Sequence, residues 1–181
     1  MYTILPILNF SLATAGLFLM IVTVALYLDH FFIKSQSVDK LLKPFLWPII
    51  ILTSVGTVAL TLIYSEYFRF VPCSMCWLQR IAMYPQALMA VIAWQMMDKK
   101  NFPIYGIALS VFGFLVASYQ YLYQMMPKES LANGLMPCLV DGTNADCAVK
   151  VIDEFGFVTF PLISAVTFAF LIILYLKLRR S

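Results

Sequence analysis

VPCSMCWLQRIAMYPQALMAVIAWQMM, Val71 to Met97, joins a Cys-x-x-Cys pair to a long apolar run, with Arg80 just inside it. From Trp77 the run is long enough to cross about 30 Å of hydrocarbon as a helix of roughly 20 residues. Composition extends that reading to the whole chain. Of its 181 residues 62% are hydrophobic and 12% charged, far from soluble globular usage. Four further apolar runs are present: Ile4 to Leu28, Pro44 to Ser65, Phe102 to Met126 and Phe157 to Leu176. The alternating apolar and polar pattern of barrel strands is absent, so the sequence predicts an all-α integral membrane protein.

Lysine and arginine placement gives the orientation. Lys34, Lys40, Lys43, Lys99, Lys100, Lys177, Arg179 and Arg180 fall on one side of such a bundle, and Arg69, Lys128 and Lys150 on the other. By the positive-inside rule the larger set is cytoplasmic, the N-terminus is outside and the C-terminus inside. The first run has no Lys or Arg before it and is too long for a cleaved signal core, so it is read as a retained helix.

All four cysteines, Cys73, Cys76, Cys138 and Cys147, then face the oxidising compartment, two of them in the 30-residue segment from Pro127 to Gly156. Such a set fits two structural disulfides. A four-thiolate zinc site is a second reading, although Cys138 to Cys147 is wider than usual ligand spacing. Redox chemistry is the third. Pro72 suits a helix start, which places Cys76 in the first turn, where free N–H groups and the helix dipole stabilise a thiolate. Closing so short a loop adds little stability, which argues against a staple. Arg80 lies one turn beyond Cys76 on the same face. It either snorkels to lipid phosphate or offers donors to a ligand at that depth. A quinone fits the second alternative, because its carbonyl oxygens want donors and gain electron density on reduction.

PCSMCWLQR, with Ser65 to Tyr67 (SEY) before it and Met83 to Pro85 (MYP) after it, resembles the disulfide bond formation protein B family, DsbB, with its BdbC-type relatives. Pro137 and Cys138, Cys147, and Phe155 to Phe157 (FGF) are similar to that family too. The resemblance runs from about Pro44 to Leu178 and implies a four-helix redox unit over residues 44–181. Residues 1–43 form an additional N-terminal transmembrane helix and loop.

The family implies a quinone-dependent protein-disulfide oxidoreductase of the bacterial cytoplasmic (inner) membrane. It would reoxidise a DsbA-like thioredoxin-fold partner and pass the electrons to ubiquinone or menaquinone. The same relay, from DsbA through DsbB to quinone, is what keeps the bacterial periplasm oxidising. Carried onto this chain, Cys73 and Cys76 are the quinone-coupled pair, with Cys76, Arg80 and Gln79 beside the quinone. Cys138 and Cys147 are the shuttle pair, Cys138 meeting the partner and Cys147 exchanging with Cys73. Gln79 stands where relatives can carry an acidic residue.

Other residues take plainer readings. His30 sits beside Asp29 on the side away from the cysteines. Tyr119, Tyr121 and Tyr123 suit an interfacial aromatic belt, and Gln120 among them is a candidate pocket residue. Gly106, Ser110, Gly113 and Ala117 form a small-residue stripe for close helix packing. No nucleotide loop, metal-ligand cluster or internal repeat is evident, and no nucleic-acid partner is expected. Two alternatives to the quinone-linked oxidase remain: a non-catalytic membrane protein with structural disulfides, and a thiol oxidoreductase using a different acceptor or direction, as in vitamin-K-epoxide-reductase-like proteins.

Overall fold

The structure is a computed structural model, and residues 4–126 and 147–180 are described. Along the chain run α1 (Ile4–Leu28), α2 (Gln36–Leu42), α3 (Leu46–Leu62), α4 (Ser74–Gln95), α5 (Phe102–Met125), strands β1 (Asp153–Glu154) and β2 (Val158–Thr159), and α6 (Phe160–Arg180). Five of the helices among the described residues are long. π-helical turns extend α1 through Asp29–Ile33 and α3 through Ile63–Tyr67.

Among the described residues four helical segments are long and apolar enough to cross a membrane: Ile4–Ile33, Gln36–Tyr67, Phe102–Met125 and Phe160–Arg180. The chain is therefore an all-α, multi-pass membrane protein. The sequence reading counted α4 as well, and its 22 residues span about 33 Å at 1.5 Å each. It is less apolar because it turns polar groups inward. Gln86 is fully buried, and its Oε1 accepts from Ser110 Oγ of α5 at 2.9 Å and from Tyr175 OH of α6 at 3.0 Å. Such a group in hydrocarbon would be costly unless hydrogen-bonded, and the three helices satisfy it together.

α3, α4, α5 and α6 pack in a ring, and α1 lies along α6. Phe168, Leu171, Leu174 and Tyr175 of α6 meet Ile50 and Trp47 of α3 and Ala82 of α4 in the core. Leu52, Leu88 and Leu115 point away from the bundle and are largely exposed, as a lipid-facing surface requires. The small-residue stripe of α5 is buried against its neighbours. At Gly113 an added Cβ would overlap the Phe168 ring, so glycine is what lets α5 and α6 approach.

The ends of α1 are tied down. Near the thiol-bearing end, Tyr64 OH of the α3 extension donates to Asn9 Oδ1 at 2.6 Å, and Asn9 Nδ2 donates to the Val151 carbonyl at 3.2 Å. At the opposite end Lys177 Nζ of α6 reaches Asp29 Oδ2 at 2.8 Å and Asp39 Oδ1 of α2 at 2.6 Å. Lys177 and Asp29 are both buried. His30 is buried there as well, with Arg180 NH1 3.3 Å from its Nδ1, so it is a packing residue remote from the cysteines.

The last helix begins slightly later than its apolar pattern suggests. β1 and β2 pair Asp153 with Thr159 and Glu154 with Val158 ahead of it. Phe155 and Gly156 turn this hairpin with φ of 55° and 76°, a left-handed pair in which glycine relieves the steric cost.

Candidate functional site

Cys73 is the N-cap of α4, and its Sγ accepts the Cys76 backbone N–H at 3.4 Å. A cap satisfies one of the orphan donors of a helix start, and here the cap is a thiol. Cys76 follows in the first turn, so the two sulfurs lie 2.9 Å apart, and both are free thiols. The pair can close into a disulfide with a small side-chain movement and no change in the helix.

The two sulfurs have different surroundings. Cys73 is buried in a cluster with Met75 and Cys147, bordered by Val116 and Tyr123. Cys76 is half-buried at the edge of that cluster. Both precede Trp77, where the membrane-spanning run begins. The hydrogen bond to Cys76 and then burial push the Cys73 thiol up, so it keeps its proton. Cys76 is drawn down to about 6, chiefly by the hydrogen bond it shares with Cys73. Burial opposes this, while the Gln120 amide and the positive charge of Arg80 reinforce it. The two shifts run in opposite directions and favour negative charge on Cys76 and the proton on Cys73.

This assignment has a direct test. A group with a lowered pKa is charged above that value and loses its charge as pH falls through it. Iodoacetamide alkylation of Cys76, followed by peptide mass spectrometry, should be nearly independent of pH above 7 and half-maximal near pH 6. An ordinary thiol titrates near about 8.5, so a rate still rising tenfold between pH 7 and 8 would contradict the assignment.

Gln120 of α5 ties the site together. Its Nε2 lies 3.3 Å from Cys73 Sγ and 3.6 Å from Cys76 Sγ, and its Oε1 accepts from Gln79 Nε2 at 2.7 Å. Gln79 thus acts on the pair by orienting Gln120. The sequence marks Gln120 only as one polar residue in an aromatic belt. Its contact with both sulfurs depends on the α4–α5 register, which sequence does not give.

Arg80 turns to the other side, toward α3. Its guanidinium donates to the Thr61 carbonyl at 2.9 Å and lies over the Trp77 ring, 5.2 Å from the centroid. Thr61 Oγ1 is in turn 3.2 Å from Tyr84 OH. Arg80 thus sits at the α3–α4 seam and is anchored there by the bundle. Further guanidinium N–H groups remain for an acceptor beside Cys76. The exposed Trp77 ring adjoins them.

Cys147 is almost completely buried beside Cys73, its sulfur 3.8 Å from Ser74 Oγ and held in a disulfide. Gln124, near the end of α5, holds this segment over the mouth of α4 by donating to the Cys147 carbonyl at 3.1 Å and to the Val149 carbonyl at 3.3 Å. Cys138 lies outside the described residues. The structure thus brings together Cys73, Cys76, Cys147 and Gln79, with Arg80 one turn along α4. Among the described residues no group of three or more His, Cys, Asp or Glu is placed to hold a metal ion.

The model of the family described as "Disulfide bond formation protein DsbB" matches residues 43–178. The chain is 35% identical to the SPbeta prophage-derived disulfide bond formation protein B of Bacillus subtilis, over 77% of this chain and 88% of that protein. It is 32% identical to disulfide bond formation protein C of the same organism, over 70% of this chain and 84% of the relative. A probable disulfide formation protein of Coxiella burnetii is 32% identical over 71% and 83%. No solved structure matches.

Proposed function

On the premise that the chain belongs to the DsbB family of disulfide bond formation proteins, we propose that it reoxidises a DsbA-like thioredoxin-fold protein outside the cytoplasm and delivers the electrons to a membrane quinone. The observation that carries this reading is the close Cys73–Cys76 pair, packed against Cys147, with Arg80 anchored one helical turn further along α4. A disulfide between residues three apart closes too small a loop to add much stability, which speaks against a purely structural staple.

In the proposed relay one thiolate of the partner attacks the Cys138–Cys147 disulfide at Cys138 and releases Cys147, and the partner's second thiolate then attacks the partner sulfur of that mixed disulfide and releases Cys138. The partner leaves oxidised, and two electrons and two protons stay on this second pair. Cys147, buried against Cys73, then exchanges with the disulfide form of the first pair. The second disulfide re-forms, and Cys73 and Cys76 become dithiol. Each step is a thiolate displacement at sulfur, so bonds formed and broken balance.

The residues around Cys76 suit a quinone head group. Arg80 offers donors where a carbonyl oxygen would gain charge, and the exposed Trp77 ring adjoins it at the lipid boundary. When bound, the quinone supplies the two-electron oxidant and takes up two protons. Gln79 and Gln120 hold Cys76 in place, and Arg80 stabilises negative charge beside it. The lysines and arginines at the end opposite the thiols support placing the thiols outside and the C-terminus in the cytoplasm. In this reading residues 1–43 are an addition, packed along the last helix of the four-helix redox unit.

Arg80 separates quinone binding from partner binding. Losing a charged hydrogen bond of about 1.5–3 kcal/mol should raise the KM for quinone at least tenfold in Arg80→Ala. The KM for the reduced partner should stay within about twofold, because Arg80 faces away from Cys147. Steady-state assays with each substrate varied in turn give both numbers. Equal effects on the two would contradict the role of Arg80.

A further inference from the structure

At the end of the bundle opposite the thiols, α2 and the ends of α3 and α6 enclose a cavity of about 220 Å³. Lys40, Lys43, Lys177 and Arg180 line it, together with a single carboxylate, Asp39. That carboxylate shares Lys177 with Asp29 behind it, so the triad carries one net negative charge against Lys40, Lys43 and Arg180. The ammonium groups of Lys40 and Lys43 have no carboxylate or hydrogen-bond partner among the described residues. A cavity between helix ends in which cations outnumber carboxylates and two lysines are unpaired suits an oxyanion.

The surroundings narrow the source of that oxyanion. Phe31, Phe32 and Ile33 precede α2, Leu41 lies on it and Phe45 follows it, and all five are more than half exposed. α2 itself buries no residue and lies at the start of the apolar segment Gln36–Tyr67. Cations beside an exposed apolar shelf match a molecule with an anionic head and hydrocarbon tails. We infer that this cavity binds the phosphate head group of an anionic phospholipid. Lys40 lies before the segment matched to the family and Lys43 opens it, so the site is built largely by the added N-terminal region.

The test uses the full-length protein in nanodiscs of equal phosphatidylglycerol and phosphatidylcholine, with lipids retained after release counted by native mass spectrometry. Phosphatidylglycerol should be retained over phosphatidylcholine by about twenty-five-fold, since each of the two unpaired lysines contributes roughly fivefold. The Lys40→Gln/Lys43→Gln double variant should bring that preference below about twofold. Lys99→Gln/Lys100→Gln, on the same side of the bundle and away from the cavity, should leave it unchanged. Thermal unfolding should show that the first variant folds normally, since both side chains are exposed and unpaired. Equal loss in the two variants would reduce the effect to general surface charge and overturn the site. Displacement of the lipid by inorganic phosphate alone would overturn the lipid assignment in favour of a free-phosphate site. No preference in the unsubstituted protein would overturn both.

Discussion

Steady-state oxidation of a reduced thioredoxin-fold partner falls at least roughly a thousandfold in Cys76→Ser, because the variant removes the sulfur that holds the negative charge and a serine hydroxyl cannot replace it at neutral pH. The form of the loss is as informative as its size. The disulfide at Cys147 remains, so one partner molecule per protein should still be oxidised in a first burst. The second pair then stays reduced, because Cys73 alone cannot accept two electrons. Serine is close in size to cysteine and the capping residue is Cys73, so unfolding temperature should scarcely change. Stopped-flow thiol release reads the burst and the steady state in one trace. Undiminished steady turnover would remove Cys76 from the relay.

The second large effect is on stability, at the opposite end of the molecule. Lys177→Met should destabilise the protein by about 3–5 kcal/mol, because it strands the buried Asp29 carboxylate without its cation. That is roughly a 10 °C fall in Tm for a chain of this size, readable by thermal unfolding in detergent. Removing both charges with Asp29→Asn and Asp39→Asn in the same background should recover most of the loss. The pair Lys150 and Asp153, 3.6 Å apart and partly open to solvent, is a natural contrast, since surface pairs contribute about 0–1 kcal/mol. A Lys177→Met variant as stable as the parent would mean that α1 is not held by this ion triad.

Much of this architecture is legible in the sequence because hydrocarbon leaves the backbone few options. A long apolar run must become a helix, and four of the five predicted spans appear with the expected apolar character. α4 is legible for another reason. Pro72 and the first cysteine mark its start, and the helix does begin at Ser74 with Cys73 as cap. The small-residue stripe of α5 announces close packing, and Gly113 against Phe168 supplies it.

What sequence leaves out are contacts set by register between distant segments. Gln120 meets the sulfurs across 47 and 44 positions, and Lys177 meets Asp29 across 148. Neither pairing has a local pattern. The direction of Arg80 is also decided by packing, because a helical wheel places it on the face of Cys76 and Tyr84 but cannot say that α3 lies there to receive it. The π-helical ends of α1 and α3, too, carry no signature in composition.

The electron path from thiol to quinone is tested most directly by following a membrane quinone bound to the purified protein while a reduced thioredoxin-fold partner is added. One quinone should be reduced for each partner dithiol oxidised, seen as loss of quinone absorbance, and Cys76→Ser should abolish the signal. Partner oxidation with the quinone unchanged in the unsubstituted protein would contradict the account.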